Sequence, residues 1–258
     1  MGFKKLLIKL YLSPFLPKDR VNFYQEIIRH AEWEAVKSFI TPNSKFLDVG
    51  CGAGFTLMKA RDELNCEVRG IDPFPGAHGV HRSNSSSVEL SMDKGVSENL
   101  PYGNESFDIV FSSHVLEHVS DVDQSLSEMR RVMKKNGTLI IGMPTAAMAW
   151  ISMLTQILFT THIRWYTFFT KPFFPSVPSR FKFLFLPESH SAEGKTILHD
   201  VTNYRVKKWS NLLAPKFKIE HTILPALYSY PDFPQLFRLR KGGKYASSVF
   251  FICSKKES

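Results

Sequence analysis

Residues 45–54, Lys-Phe-Leu-Asp-Val-Gly-Cys-Gly-Ala-Gly, constrain the fold more than any other stretch. Phe46, Leu47 and Val49 read as a short buried strand with Asp48 near its end. Gly50, Gly52 and Gly54 then give a tight turn with no Cβ in the way of an incoming ligand. Phe55 to Leu64 follows with helical periodicity. Strand, glycine-rich turn, helix is how an open α/β sheet builds a nucleotide site at the carboxyl ends of its strands. Such turns also occur as plain structural turns, so spacing matters. Glu67 to Ile71 reads as a second strand with Asp72 at its end. An acid there can accept both hydroxyls of a ribose.

More of the chain carries motifs. Residues 95–119 read GVSENLPYGNESFDIVFSSHVLEHV, and residues 129–144 read MRRVMKKNGTLIIGMP. With the GxGxG turn and Asp72, these resemble the class I S-adenosylmethionine-dependent methyltransferases. Within that class they resemble the small-molecule group with an E-x-L-P-F, S-F-D, L-E-H-V, R-V-L-K-P-G-G pattern. The resemblance covers roughly residues 40–145. It implies a Rossmann-like α/β fold, a seven-stranded mostly parallel sheet of order 3-2-1-4-5-7-6 with helices on both faces. It places strand 7 antiparallel between strands 5 and 6. It also implies methyl transfer, with S-adenosyl-L-methionine as cofactor.

That cofactor has no phosphates, so the turn is not a phosphate cradle. The resemblance puts its methionine part against Gly50, Gly52 and Gly54, with Asp48 at the ammonium end and Asp72 on the ribose. The plainer readings are a buried acid bonding the turn for Asp48 and a solvated loop acid for Asp72. In the resembled group an acid often begins the stretch before Leu-Pro and accepts from the adenine amine. Here Val96 stands at that position, a departure. Backbone groups of Val96 and Ser97 would read the base instead, with Val96 packed on its face. Glu98 reads as a surface or capping residue, and Cys51 as a small side chain tolerated in the turn.

After the fourth strand comes Ser112-Ser113-His114-Val115-Leu116-Glu117-His118. The Asn/Asp-Pro-Pro-aromatic motif typical of amino-directed nucleobase methyltransferases is missing there. Ser113 and His114 should lie at the sheet's carboxyl edge, beside the sulfonium. A hydroxyl acceptor must lose a proton during in-line displacement, and a histidine is a suitable base. His114 is therefore the candidate catalytic residue, the other reading being a residue that positions the methionine end. Glu117 and His118 read as structural parts of the turn.

Residues 20–39 read as a helix before the sheet, with Phe23, Ile27, Ile28 and Trp33 among its apolar contacts. Further strands are expected within 88–97, at 108–112, 138–143, 217–224 and 247–254, and further helices at 122–134 and 204–213. Asp121 is the expected cap of the former helix, and Asn136-Gly137 the turn into the fifth strand. The domain reading is an N-terminal helical segment at 1–40 and a methyltransferase domain at 41–258. Residues 144–203 would be an inserted cap or membrane-interface subdomain.

That insertion is rich in aromatics, and residues 142–161 carry no charge over nearly the length of a membrane span. Strands precede and follow it, and all must share one sheet, so a lone crossing helix is rejected, while a re-entrant hairpin stays open. Trp165, Phe173 and their neighbours beside Arg164, Lys171, Arg180 and Lys182 suit a membrane interface, or else a buried cap or dimer surface. His190, Glu193, His199 and Asp200 form a second polar cluster. Their spacing matches no metal motif, so no metal is expected; they face the acceptor or form a solvated loop.

The net charge of +9 suits anionic phospholipid or nucleic acid, or simple solubility. Three cysteines give no disulfide framework and point to a reducing compartment, the cytoplasm. At the N-terminus, Lys9 interrupts the apolar run and no cleavage site follows, which argues against secretion. Leu6 fails the myristoylation pattern. As a helix, residues 3–12 have an apolar side and three lysines, as for a peripheral helix on an anionic inner membrane face or one packed on the domain. The reading is O-methylation of a lipophilic or lipid-linked small molecule, such as a glycolipid, quinone-like precursor or lipid-carried sugar. Its rivals are an RNA methyltransferase, which lacks a recognisable RNA-binding module here, and a non-catalytic cofactor-binding or membrane-adaptor protein.

Overall fold

The computed structural model describes residues 18–77, 90–170, 185–187, 189–191, 195–228, 240–241 and 243–256. Helix α1, Lys18–Val36, runs into a 3-10 turn, Lys37–Phe39. Then come β1 (Lys45–Val49), α2 (Phe55–Leu64), β2 (Glu67–Asp72), β3 (Met92–Lys94), β4 (Phe107–Ser113), α3 (Val122–Val132) and β5 (Met133–Pro144). After them lie α4 (Ala146–Thr170), α5 (Leu198–Asn203), α6 (Val206–Leu213) and β6 (Phe217–Ile223). Two short strands, β7 (Ala226–Leu227) and β8 (Arg240–Lys241), pair with each other, and β9 (Ser248–Lys255) ends the fold.

The large sheet has the order β3-β2-β1-β4-β5-β9-β6. β1 is parallel to β2 and β4, and β9 is antiparallel to both β5 and β6. β9 thus occupies the place expected of the seventh strand, and the topology is the one the sequence implies. Side-chain alternation along β1 explains the two layers of core. Leu47 and Val49 point into a cluster with Val110, Leu126 and Trp209; Phe46 points the other way, with Trp33, Leu57 and Phe250. Phe46, Phe111 and Phe250 continue that second layer across three strands, with ring centroids 5.9 and 6.2 Å apart.

The described part of the N-terminal segment shares this core. Trp33, Val36 and Ile40 are buried, and the Trp33 indole donates to Glu63 Oε2 on α2 at 2.8 Å. Asp121 caps α3 by accepting from the Gln124 amide at 2.9 Å, as expected. One local expectation is corrected. Asn136-Gly137 is not a turn into a separate strand: β5 runs from Met133 to Pro144, and its pairing with β4 shifts register across this stretch. A Cβ at Gly137 would lie 2.6 Å from Met133 Cγ and 3.0 Å from the Asp108 carbonyl. Glycine lets the strand bulge there instead of breaking.

No helix among the described residues is long and apolar enough to cross a membrane. The amphipathic stretch at 3–12 and the aromatics at 173–183 lie outside the described residues.

Candidate active site

The carboxyl ends of β1, β2 and β4 open into a cavity of about 830 Å³. Asp48, Gly50, Gly52, Asp72, Val96, Ser97, Ser113 and His114 all line it. Gly54 does not; its amide donates to the Cys51 carbonyl at 2.8 Å, and it turns the chain into α2 at φ 84°. A Cβ on Gly54 would lie 2.7 Å from Leu90 Cδ1, so its smallness serves packing.

The turn after β1 is held by the strand beside it. The Gly50 and Cys51 amides donate to the Ile71 carbonyl at 2.8 and 3.1 Å. Asp72 accepts from the Gly52 amide at 3.0 Å and from the Phe74 amide at 2.8 Å, one bond per carboxylate oxygen. An ionised carboxylate has about four lone-pair sites, so each oxygen retains one for a ligand hydroxyl. Gly50 has φ 80°, and a Cβ there would run into Val115. Its bareness keeps backbone within reach of the cavity.

Asp48 is buried at the floor. Burial, then the negative charge of Asp72, push its carboxyl up to about 8 against the opposing pull of Arg29. Burial, then the charges of Asp48 and Asp72, raise the Cys51 thiol far above its usual range. Such a thiol is unreactive, and a small side chain is what the turn uses there. Ser97 Oγ lies 2.8 Å from Ser125 Oγ and donates to Glu98 at 3.1 Å. Glu98 in turn accepts from the Ser120 amide and hydroxyl at 3.2 and 3.0 Å. The Ser97 hydroxyl is thus engaged in shaping the wall, and Glu98 fastens two loops.

The opposite wall holds residues that sequence reasoning did not assign to the site. Arg29 and Glu32 come from α1; Tyr228, beyond β7, stands behind Glu32 and does not itself line the cavity. Arg29 donates to Glu32 Oε2 at 2.7 Å, and its Nη1 lies 3.4 Å from Ser113 Oγ. Tyr228 donates to Glu32 Oε1 at 2.9 Å. His114 has left-handed backbone, φ 57°, and its ring sits between two acids. Nε2 is 3.4 Å from Glu32 Oε1, and Nδ1 is 3.4 Å from Glu117 Oε1. Burial and Arg29 act to lower the His114 pKa, but the two carboxylates outweigh them and hold it above the ordinary imidazole value. Burial alone would raise Glu32; Arg29 and His114 hold it well below the usual carboxylate range.

The insertion reaches the cavity at one described point, His190. Its backbone is set by Asp200, 1% exposed, whose Oδ2 accepts from the His190 amide at 2.7 Å. Asp200 Oδ1 accepts from the Ser189 hydroxyl at 2.5 Å and the Ser191 hydroxyl at 3.2 Å. The His190 ring meets His118 edge-on, centroids 4.9 Å apart. Asp200 is therefore the buried organiser of a loop, not a solvated acid. His199 lies outside the cavity wall, and Glu193 lies outside the described residues.

A glycine turn after the first strand, an acid ending the second and the reversed seventh strand define the α/β fold of the class I methyltransferases. Residues 47–141 match the family described as "Methyltransferase domain". Residues 47–141 accordingly carry a methyltransferase domain, on a sheet with the class I topology. Among curated proteins the chain is similar to a ubiquinone biosynthesis O-methyltransferase of Azorhizobium caulinodans, 30% identical over 125 residues, covering 47% of this chain and 49% of the relative. It is also similar to the sterol 24-C-methyltransferase erg6 of Schizosaccharomyces pombe, 28% identical over 121 residues, 45% of this chain and 32% of the relative. The match thus spans half or less of these relatives' length. Among solved structures, a Thermotoga maritima protein described as a SAM-dependent methyltransferase and possible histamine N-methyltransferase superposes with TM-score 0.57 at 19% identity. It covers 93% of this chain and 94% of that one, a likeness of fold.

Proposed function

We propose that this protein is an S-adenosylmethionine-dependent methyltransferase that O-methylates a lipophilic or lipid-linked small molecule. The observation that carries the enzyme reading is the cavity, which gathers Asp48, Gly50, Gly52, Asp72 and the backbone of Val96 and Ser97 on one side. These residues fit the cofactor by their own chemistry. Gly50 leaves the backbone bare, Asp72 has acceptor capacity for two ribose hydroxyls, and Asp48 ionises readily once an ammonium stands beside it. Val96 offers an apolar face to the base. When bound, S-adenosylmethionine supplies an electrophilic methyl group; the protein's residues hold it, position the acceptor and remove a proton.

The acceptor side supports a small molecule. It is bounded by α1, the 113–120 segment and His190, and the Arg29–Glu32–His114–Glu117 network pairs its charges internally. Among the described residues, that leaves no cationic track for a nucleic acid backbone within the cavity. The lipophilic class is supported by the quinone- and sterol-directed names of the two curated relatives. It is also supported by Trp150 and Leu154, exposed one turn apart on α4. A peripheral membrane contact through that face and the N-terminus belongs to the same proposal.

The test has two arms. Calorimetry with S-adenosylhomocysteine should show binding, and its absence would end the enzyme reading. Mass spectrometry of lipid extracts from cells with and without the protein should show a 14 Da shift in an organic-soluble compound; a shift confined to RNA would overturn the acceptor class.

A further inference from the structure

We propose that Arg29, on α1, takes a carboxylate in this cavity, the α-carboxylate at the methionine end of the cofactor, so that Arg29 and Asp48 hold the two ends of one amino-acid head. The inference rests on the methyltransferase reading above and gives a partner to a group that reading leaves without one.

Asp48 stands for the ammonium of that head; the carboxylate needs donors. The nearest backbone donors are already engaged. In the turn after β1 the Gly50 and Cys51 amides are bonded to the Ile71 carbonyl, the Gly52 amide to Asp72 and the Gly54 amide to the Cys51 carbonyl. Among the described residues that line the cavity, Arg29 is the one lysine or arginine.

Only part of its guanidinium is used. Nη1 donates to Glu32 Oε2 at 2.7 Å and lies 3.4 Å from Ser113 Oγ. Nε and Nη2 make no hydrogen bond among the described residues, and neither is a buried atom; the side chain as a whole is 36% exposed. Those two nitrogens form one edge of the planar fork, an edge that takes both oxygens of a carboxylate. Glu32 does not turn toward that edge, because its other oxygen accepts from Tyr228 at 2.9 Å and faces His114 at 3.4 Å. The fork is thus held in place before a ligand arrives, which lowers the ordering cost of binding.

Its position suits the role. β4 pairs with β1 with Phe111 opposite Asp48, and Ser113 lies two residues farther toward the carboxyl edge, a rise of about 6.6 Å. Arg29 meets Ser113 there, and its charge acts on Asp48. An amino-acid head laid along that step turns its ammonium to Asp48 and its carboxylate to Arg29.

The experiment is calorimetry on the full chain with two ligands, S-adenosylhomocysteine and its decarboxylated analogue, which keeps the adenosine, the thioether and the amine. Wild type should bind the first about 10- to 150-fold more tightly, the range for hydrogen bonds to a charged group. In R29M the two ligands should bind within about twofold of each other, because only the carboxylate loses a partner. R29K keeps a charge beside Glu32 but has no fork, so its ratio should fall by at least about threefold, and it decides the matter should R29M not fold. Equal binding of the two ligands by wild type would overturn the assignment. So would a ratio that R29M or R29K retains in full, which would give the carboxylate to backbone amides and leave Arg29 to an anionic group on the acceptor. Failure of wild type to bind either ligand would sink the methyltransferase reading, and this inference with it.

Discussion

The two halves of the cavity are built differently. The proposed cofactor side is local: Asp48, Gly50, Gly52 and Asp72 lie within one strand–turn–helix–strand unit, and their contacts are mostly backbone. The proposed acceptor side is assembled from distant parts. Glu32, His114 and His190 line it from α1, the segment after β4 and the insertion, with Glu117 and Tyr228 standing behind them. Backbone geometry stores the first half; buried charge pairing stores the second. The first therefore tolerates change in its surroundings, while the second depends on every partner being present.

That contrast is sharpest at Glu32, which faces Arg29, His114 and Tyr228 at once. Removing one member of a buried charge network costs about 3–5 kcal/mol, because the partners stay buried and uncompensated. E32A should lose stability on that scale in urea unfolding. S-adenosylhomocysteine affinity of the folded fraction should change much less. An E32A protein as stable as wild type would mean the acceptor wall is not held by charge.

The matching change on the cofactor side is D72A. It removes two backbone-bonded oxygens and the proposed ribose acceptors. Affinity for S-adenosylhomocysteine should fall by about 1.5–3 kcal/mol, the range for hydrogen bonds to a charged group, or roughly 10- to 150-fold. Unchanged affinity in folded D72A would reduce Asp72 to a loop fastener and break the comparison from the other direction.

This division also explains what could be read from the sequence. The sheet order, the Gly turn and the acid after β2 are encoded by contiguous residues, so periodicity and spacing reveal them. Gly54 looked like its neighbours but serves packing against Leu90, which only the fold brings close. Arg29 and Glu32 sit one helical turn apart and resemble any surface ion pair; nothing local says that β4 will lie against them. Tyr228 falls in a stretch whose prolines and glycines signal only irregularity. Asp200 reads as a loop acid because the serines it gathers lie nine and eleven residues earlier. Asn136-Gly137 carries a turn signal, yet β4 alongside keeps the strand extended and turns it into a bulge.

Asp48 belongs to the cofactor side but behaves electrostatically like the other half. With its carboxyl pushed up to about 8 by burial and Asp72, it carries a proton at neutral pH in the ligand-free protein. Folding raises its pKa, so its contribution to stability is full below the unfolded carboxylate value and declines as pH rises toward 8. For binding the sign runs the other way. An ammonium favours the ionised acid, so the complex holds fewer protons and affinity rises with pH, by up to about tenfold per unit below 8, or 1.4 kcal/mol. Calorimetry in two buffers of different ionisation enthalpy should detect proton release at pH 7, and D48N should abolish that release. Equal heats in both buffers for wild type would show that Asp48 does not meet the ammonium.

The smallest effect is expected farthest from either half, on the outer face of the insertion. Trp150 and Leu154 are 53% and 52% exposed on α4, four residues apart and hence on one side of the helix. Half-exposed side chains contribute little to folding, so a W150S/L154S double variant should unfold within about 0.5 kcal/mol of wild type. If this face meets a lipid surface, the same change removes apolar area from the contact, on the order of 1 kcal/mol of partitioning. Flotation with vesicles containing anionic lipid should therefore show roughly fivefold weaker binding for the variant at low salt. Salt should weaken wild type and variant in parallel, because the altered term is apolar and the basic residues are untouched. Binding that is identical in the two proteins would remove α4 from the membrane contact, leaving the insertion as a part of the cavity wall through His190.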